Sequence, residues 1–345
     1  MNILFVTFSD YENDGRTKDL LQVAKMFGKV QMLGMPSCKF KNLHINKSVL
    51  YMWFLCRVIY KAFLAGKVDC IFIDNYHAAL PGMIIKLLWH PNTVIQDVRE
   101  LYTYSNLPSM AGKFFIYCEK KLMQQADVVI CANQYRSVIC KALYNLKNLP
   151  IVYENMHWIR VKSHDKNVKD TIVISTDGLK LNRELEKFLL SKKEIDDSVK
   201  YYIVGAYNDK EYQYAKKIIS EHDLKNIHIL GKLSRQQLGD LISNCDIGIV
   251  KYNFDDLNNI FCASGKIYEF LMMGLPVVTT EHFELKKLCD TYGVGVSDNS
   301  FSDGINHVLG NYSKYIDNVA SFQRFMMKRN VMLELYENIK NRIDR

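Results

Sequence analysis

Short apolar runs alternate with amphipathic stretches along this chain, and the alternation predicts an open, parallel α/β construction. Strand-like runs fall at residues 3–8, 30–33, 70–74, 93–96 and 128–131, separated by helical patterns at 17–27, 48–65, 78–88 and 112–125. A second series repeats the scheme, with strands at 171–175, 200–204, 227–230, 247–251, 277–280 and 293–296. Helices at 183–190, 210–220, 235–243 and 266–273 separate these. The polar stretch 162–170 between the two series reads as a linker. Two doubly wound domains joined once are expected, and in such sheets ligands bind at the carboxyl ends of the strands. Residues 315–343 continue as one long helical pattern carrying Phe322, Phe325, Met326, Leu333, Leu335, Tyr336 and Ile339, a packing helix.

With 345 residues, 48% of them hydrophobic and 24% charged, the chain is long enough for two domains with cores of their own. Nine cysteines lie singly, without a C-x-x-C pair. Cys70, Cys131 and Cys245 sit in or beside apolar runs, which suggests buried thiols in a reducing compartment. The opening run Met1 to Phe8 has no basic region before it and reads as a core strand, so a cytoplasmic protein is expected. Residues 49–65 are the best candidate for a membrane span, but Arg57 and Lys61 interrupt them.

Charge is unevenly spread. Of 45 basic and 37 acidic residues, 161–345 hold 26 of each, so the whole excess of +8 lies in residues 1–160. A nucleic acid, an anionic membrane surface or a phosphorylated substrate would suit such a half. No nucleic-acid module is recognisable. Contact with a membrane surface or a lipid diphosphate is the better reading, set against a merely solvated basic face.

The most informative segment runs from Ser264 to Thr280: a short helix, a stop at Gly274, a turn at Pro276 and a buried strand. Small residues, Ser264 and Gly265, precede the helix, so its first N–H groups can face an anion. Lys266 adds charge in the first turn, and Glu269 follows about one turn on. Amides and a cation suit phosphates, and a carboxylate suits ribose hydroxyls. An ordinary surface helix ending in glycine is the bland alternative.

The pattern Lys266-x-x-Glu269-Phe270-x-x-x-Gly274-x-Pro276-Val277-Val278 resembles the donor-nucleotide motif of retaining glycosyltransferases of the GT-B fold, family 4, which include many bacterial capsule and exopolysaccharide enzymes. Glu269 matches the second glutamate of that motif, whereas Phe261 stands where the first would fall. The resemblance implies two Rossmann-like domains facing a cleft. The first, 1–161, would hold the acceptor and receive the C-terminal helix 315–345, which crosses back onto it. The second, 170–314, would hold the nucleotide sugar.

The resemblance extends, less specifically, to other loops. Asp14-Gly15-Arg16 after the first strand resembles an Asp-x-Arg of some polysaccharide transferases and places Gly15 and Arg16 at the cleft. From loop chemistry alone Arg16 would be a surface cation. Asp97, Arg99 and Glu100 follow the strand at 93–96, where the family often shows Asp-x-His-Glu, so Arg99 replaces a histidine that touches the donor sugar or its phosphate. An arginine can hold a phosphate or a hydroxyl. Asp97 and Glu100 are then candidates to contact the acceptor, and an interdomain salt bridge is the bland alternative for all three. Gly178 and Arg183 occupy the position of the family's diphosphate loop, with Lys180 second to Arg183. A cation opening a helix is disfavoured by the macrodipole unless an anion lies near. Lys232, in Leu230-Gly231-Lys232, resembles the turn beside the base, and the run from Asp246 to Lys251 resembles the strand leading to the donor loop. His77 and His157 are single and read as structural.

The expected reaction moves a sugar from a nucleotide diphosphate, UDP- or GDP-linked, to an acceptor hydroxyl, with retention if the family's stereochemistry carries over. The acceptor would be a glycan or a polyprenyl-diphosphate-linked glycan at the inner membrane face. No cofactor is expected. No Asp-x-Asp stands at a strand end, so no metal is expected either, the helix-start amides and basic side chains serving instead. A nucleotide-sugar epimerase of the same fold, and a degenerate subunit that binds a partner or lipid, are the alternatives.

Overall fold

The computed structural model describes residues 1–11, 14–35, 47–103, 107, 109–156 and 171–344. The expected linker 162–170 and His157 lie outside the described residues. The chain divides into two compact units, residues 1–155 with 330–345, and residues 156–329.

The first unit is built on strands β1 (Asn2–Asp10), β2 (Lys29–Met35), β3 (Cys70–Asp74), β4 (Thr93–Val98), β5 (Val128–Cys131) and β6 (Ile151–Val152). They form one parallel sheet in the order β2-β1-β3-β4-β5-β6. Helices α1 (Gly15–Phe27), α2 (Lys47–Ala65), α3 (Ala79–Trp89), α4 (Met110–Met123) and α5 (Gln134–Tyr144) connect them. β6 is two residues long and carries no readable alternation, and α5 is a polar helix; the sequence pattern showed neither. Because the chain reverses at β1 and crossovers are right-handed, α2, α3 and α4 cover one face of the sheet. Phe54, Val58, Ala62, Ile71, Ile73, Ile85 and Leu122 interlock there in a buried core. Register sets the chemistry at the strand ends: Thr7 pairs with Asp74 across β1 and β3, and Asp74 with Asp97 across β3 and β4.

The second unit repeats the plan with β7 (Ile172–Ser175), β8 (Lys200–Val204), β9 (Ile227–Leu230), β10 (Ile247–Val250), β11 (Val277–Thr279) and β12 (Gly295–Ser297), in the order β12-β11-β10-β7-β8-β9, again all parallel. Its helices are α6 (Leu185–Leu190), α7 (Asp209–Glu221), α8 (Arg235–Ile242), α9 (Leu257–Ile260), α10 (Gly265–Met272), α11 (Phe283–Tyr292), α12 (Phe301–Gly310) and α13 (Tyr312–Lys328). α7 and α8 open on capping boxes, Asn208 with Glu211 and Ser234 with Gln237.

The long C-terminal helix expected from the sequence is two helices. α13 ends at Lys328, Arg329 is extended, and Asn330 caps α14 (Val331–Ile343) by accepting from the Leu333 N–H at 3.1 Å. The Asn330 cap was the available signal, hidden by apolar periodicity that runs on without glycine or proline. α13 belongs to the second unit, and α14 returns to the first. There it packs on α1, with the Phe27 and Tyr336 rings 4.4 Å apart.

Candidate functional site

In the second unit, β7 ends at Ser175 and the turn Thr176-Asp177-Gly178 follows. Gly178 has φ +66°, and a Cβ there would stand 2.3 Å from the Ala206 carbonyl oxygen, so only glycine fits. Its N–H donates to the Val204 carbonyl at 2.9 Å, which fastens the turn to β8 and leaves Asp177 at the carboxyl end of the sheet. On neighbouring β10, Gly248 lets the Phe270 ring of α10 lie directly on the strand; a Cβ would meet that ring at 2.4 Å. The start of α10 is thereby drawn close to the residue following β10.

That residue is Lys251, a lysine with no exposed surface. Its ammonium lies 3.5 Å from Asp177 Oδ2 and finds no hydrogen-bond partner among the described residues. Lys266, in the first turn of α10, donates to Asp177 Oδ1. The Arg183 guanidinium lies over the Tyr252 ring, 3.9 Å from its centroid, and its buried Nη1 finds no hydrogen-bond partner among the described residues. The N-cap residue Ser264 makes no side-chain capping hydrogen bond to the start of α10. Two lysines thus share one buried carboxylate, and Arg183 adds a third positive charge near it.

The titration behaviour follows. Burial alone would raise the Asp177 carboxyl, but Lys251 and Lys266 outweigh it and hold it below the ordinary aspartate value. Burial pulls Lys251 down to about 8 against the restoring pull of Asp177, and Lys266 and Arg183 add repulsion. Any anion bound beside Lys251 would offset both its burial and the repulsion from its neighbours.

A hydrogen-bonded frame holds the surrounding loops. Asn253 Oδ1 accepts from the Glu184 N–H at 2.8 Å. His282 Nε2 lies 3.2 Å from the Asn253 carbonyl and Nδ1 lies 2.9 Å from Thr280 Oγ1. A carbonyl only accepts, so Nε2 carries the proton and Nδ1 accepts from the threonine hydroxyl. Burial lowers the His282 pKa, consistent with a neutral ring. The loop before α6 and the ends of β10 and β11 are fixed relative to one another in this way.

The expected donor residues divide. Lys266 meets Asp177, and Arg183 adds its charge nearby from over the Tyr252 ring. Ser264 and Gly265 open α10, and Glu269 lies one turn on, half-buried. Gly178 is present for packing, and its amide is spent on Val204. Arg183 does not begin a helix: α6 starts at Leu185 after Glu184 in the left-handed region, φ 48°, so the macrodipole argument for Arg183 fails. Lys232 stands exposed in the loop before α8. Sequence reasoning missed Asp177, Tyr252, His282 and, above all, Lys251. Its signal was a lysine terminating an otherwise apolar strand. A neighbouring cavity of about 630 Å³ is lined by Glu184, Glu186, Glu194, Lys187 and Asn253 among others, and by none of the three cations. With three carboxylates to one lysine, it does not suit a diphosphate.

In the first unit the expected residues also converge, but on one another. Asp14 caps α1, so Gly15 is a helix residue and not a loop residue. Arg16, expected at the cleft from the resemblance and at the surface from loop chemistry alone, is buried: Nε and Nη2 donate to both oxygens of Asp97 at 2.9 and 2.5 Å, and Nη1 to the Tyr153 carbonyl at 2.6 Å. Arg99 gives Nε to Asp74 Oδ1 and Nη1 to Asp14 Oδ2, each at 2.5 Å, and Nη2 to Thr17 and Asp74. Those carboxylates outweigh burial and hold its pKa above the ordinary arginine value. Asp97 has no exposed surface with which to meet an acceptor. Glu100 is half-exposed, 3.5 Å from Arg136.

Residues 170–311 match the model of the family described as glycosyl transferases group 1. No curated protein matches the chain in sequence. Among solved structures, Anabaena HepE in complex with UDP-glucose is 14% identical, with a TM-score of 0.71 over 100% of this chain and 99% of that one. Sucrose-phosphate synthase from Thermosynechococcus elongatus is 12% identical, with a TM-score of 0.70 over 99% and 98%. The lipopolysaccharide outer core galactosyltransferase WaaB in its apo form is 11% identical, with a TM-score of 0.66 over 99% of each chain. These likenesses establish the GT-B fold over the whole chain, and the family match lies within the second unit. Both bear out the resemblance read from the sequence.

Proposed function

We propose that this GT-B protein, with its second unit in the glycosyl transferases group 1 family, transfers a sugar from a nucleotide diphosphate to an acceptor hydroxyl. The observation that carries the reading is a cation excess: buried Lys251 and part-exposed Lys266 on the carboxylate of Asp177, with Arg183 nearby. A diphosphate supplies the missing negative charge, and the first N–H groups of α10, which Ser264 does not cap, add donors toward it. Glu269, one turn along the same helix, accepts from ribose hydroxyls. UDP is the first donor base to try, since the similar HepE binds UDP-glucose.

The chemistry follows from that charge distribution. As the glycosidic bond to the leaving phosphate lengthens, negative charge grows on the diphosphate, and prepositioned cations stabilise it more than they stabilise the ground state. In the retaining scheme favoured here, the acceptor hydroxyl approaches the face the phosphate leaves, and a phosphate oxygen takes its proton. Cationic side chains then serve where a metal would otherwise neutralise the leaving group. We assign the acceptor, a glycan or a polyprenyl-diphosphate-linked glycan of a surface polysaccharide, to the basic first unit.

Thermal unfolding with UDP, GDP, CMP, dTDP and ADP, on wild type and Glu269→Ala, tests this. A nucleotide at about a hundred times its Kd stabilises by about 2.7 kcal/mol. One nucleotide should raise the Tm of the wild type, and raise that of the variant clearly less. No shift with any of them sinks the donor site and leaves a non-catalytic subunit. A sugar isomer formed from the donor alone, without acceptor, would instead identify an epimerase.

A further inference from the structure

Helix α2 is apolar on two opposite sides. Tyr51, Phe54, Val58 and Ala62 are buried in the core of the first unit. The other stripe, Val49, Met52, Trp53, Tyr60, Phe63 and Leu64, faces solvent, with Phe63 71% exposed. A helix apolar all round is ordinarily enclosed by protein or lipid. Among the described residues α2 is the one helix long and apolar enough to cross a bilayer. Its buried stripe holds it to the sheet, so it can lie on a membrane but not span one. The adjoining helices continue the pattern: Leu87 on α3 is 70% exposed and Met110 on α4 is 80% exposed, with Phe114 and Tyr117 beside it.

Charge on this layer has one sign. Helices α2, α3 and α4 carry seven lysines and arginines and a single acid, Glu119, which is buried. Residues 20–68 contain eight basic residues and no aspartate or glutamate. Arg57 lies over the Trp53 ring at 5.2 Å and Lys121 over that of Tyr117 at 5.7 Å, so cations and exposed aromatics are interleaved. A second copy of the same face would meet it with like charge. A bilayer bearing anionic headgroups offers both what the apolar residues need and what the lysines need.

We propose that the α2–α3–α4 face is a membrane-docking surface, with α2 lying in the interface of an anionic bilayer. This inference does not rest on the donor-site reading. Flotation of the full chain with vesicles tests it, comparing phosphatidylcholine alone with an equimolar mixture of phosphatidylcholine and phosphatidylglycerol. Binding should favour the anionic vesicles by at least about tenfold and weaken as salt screens the lysines. Tyr60→Ser with Phe63→Ser should lower binding by about tenfold or more through lost apolar insertion. Lys61→Glu with Lys113→Glu should do so while leaving every apolar residue in place, which keeps the test informative if the first pair misfolds. Wild type that stays in buffer, or floats equally with both vesicles, overturns the proposal. So does a concentration-dependent dimer dispersed by Phe63→Ser in a chain that ignores vesicles, which would make a second copy the occupant.

Discussion

Both units bury ionised side chains at the carboxyl ends of their strands, and they do so to opposite ends. In the first unit, Arg16 and Arg99 meet Asp14, Asp74 and Asp97, and the guanidinium nitrogens are committed to carboxylates, Thr17 or a carbonyl. Negative charge is in slight excess and nothing is left to offer. In the second unit, Lys251 and Lys266 share Asp177 with Arg183 nearby, and a lysine and an arginine nitrogen remain buried without hydrogen bonds among the described residues. A buried network that closes on itself is architecture. One that keeps an excess of positive charge can receive an anionic partner, which is the role proposed for it.

The largest effect that can break this comparison comes from the closed network. Arg16→Met leaves Asp97 buried, with Arg99 Nε 3.8 Å away and already committed to Asp74. Removing one member of a buried pair costs about 3–5 kcal/mol. Chemical denaturation should register that loss, while nucleotide affinity, measured where the variant is folded, stays at the wild-type value. A variant of undiminished stability that no longer binds nucleotide would move the functional role to Arg16 and reverse the assignment.

Lys251→Met addresses the open cluster. Methionine keeps much of the volume and removes the charge, and Asp177 retains Lys266. The loss should therefore appear in binding: about 1.5–3 kcal/mol for a charge-assisted phosphate contact, read by calorimetry as a roughly tenfold to hundredfold weaker Kd. Stability should change little or rise, because an ammonium that is costly to bury has gone. Unchanged nucleotide affinity would make Lys251 a counter-ion to Asp177 and nothing more.

The legibility of these features in the sequence follows their range. Strands announced themselves because each is a short apolar run between polar turns. The start of α10 did so because Gly265, Lys266, Glu269 and Pro276 lie within a dozen residues. What stayed hidden depends on contacts distant along the chain. Asp177 and Lys251 are 74 positions apart and meet only because β7 and β10 are neighbours in the sheet. Arg16 read as a loop cation because its partner, Asp97, lies three strands on in sequence. Arg99 looked free for substrate for the same reason. Gly178 was noticed correctly as a special glycine, but its need is the close approach of Ala206, which no local pattern shows.

The smallest predicted effect is the most specific to the open cluster. Lys251 is lowered from the ordinary 10.5 to about 8 in the folded protein. Between those values the unfolded chain binds more protons, so its contribution makes the folded state more stable as pH rises from about 8 toward 10. Below 8 the lysine is charged in both states and its contribution is flat. Nucleotide binding runs the other way: it needs the ammonium, and affinity should fall by about tenfold between pH 7 and 9. At pH 8.5 binding should take up protons, visible as a calorimetric enthalpy that changes with the ionisation enthalpy of the buffer. Lys251→Met should abolish that proton uptake and flatten both profiles. Affinity that is level from pH 7 to 9 in the wild type would mean that the phosphates rest on Arg183 and Lys266 alone, and that Lys251 is closed on Asp177 as firmly as Arg16 is on Asp97.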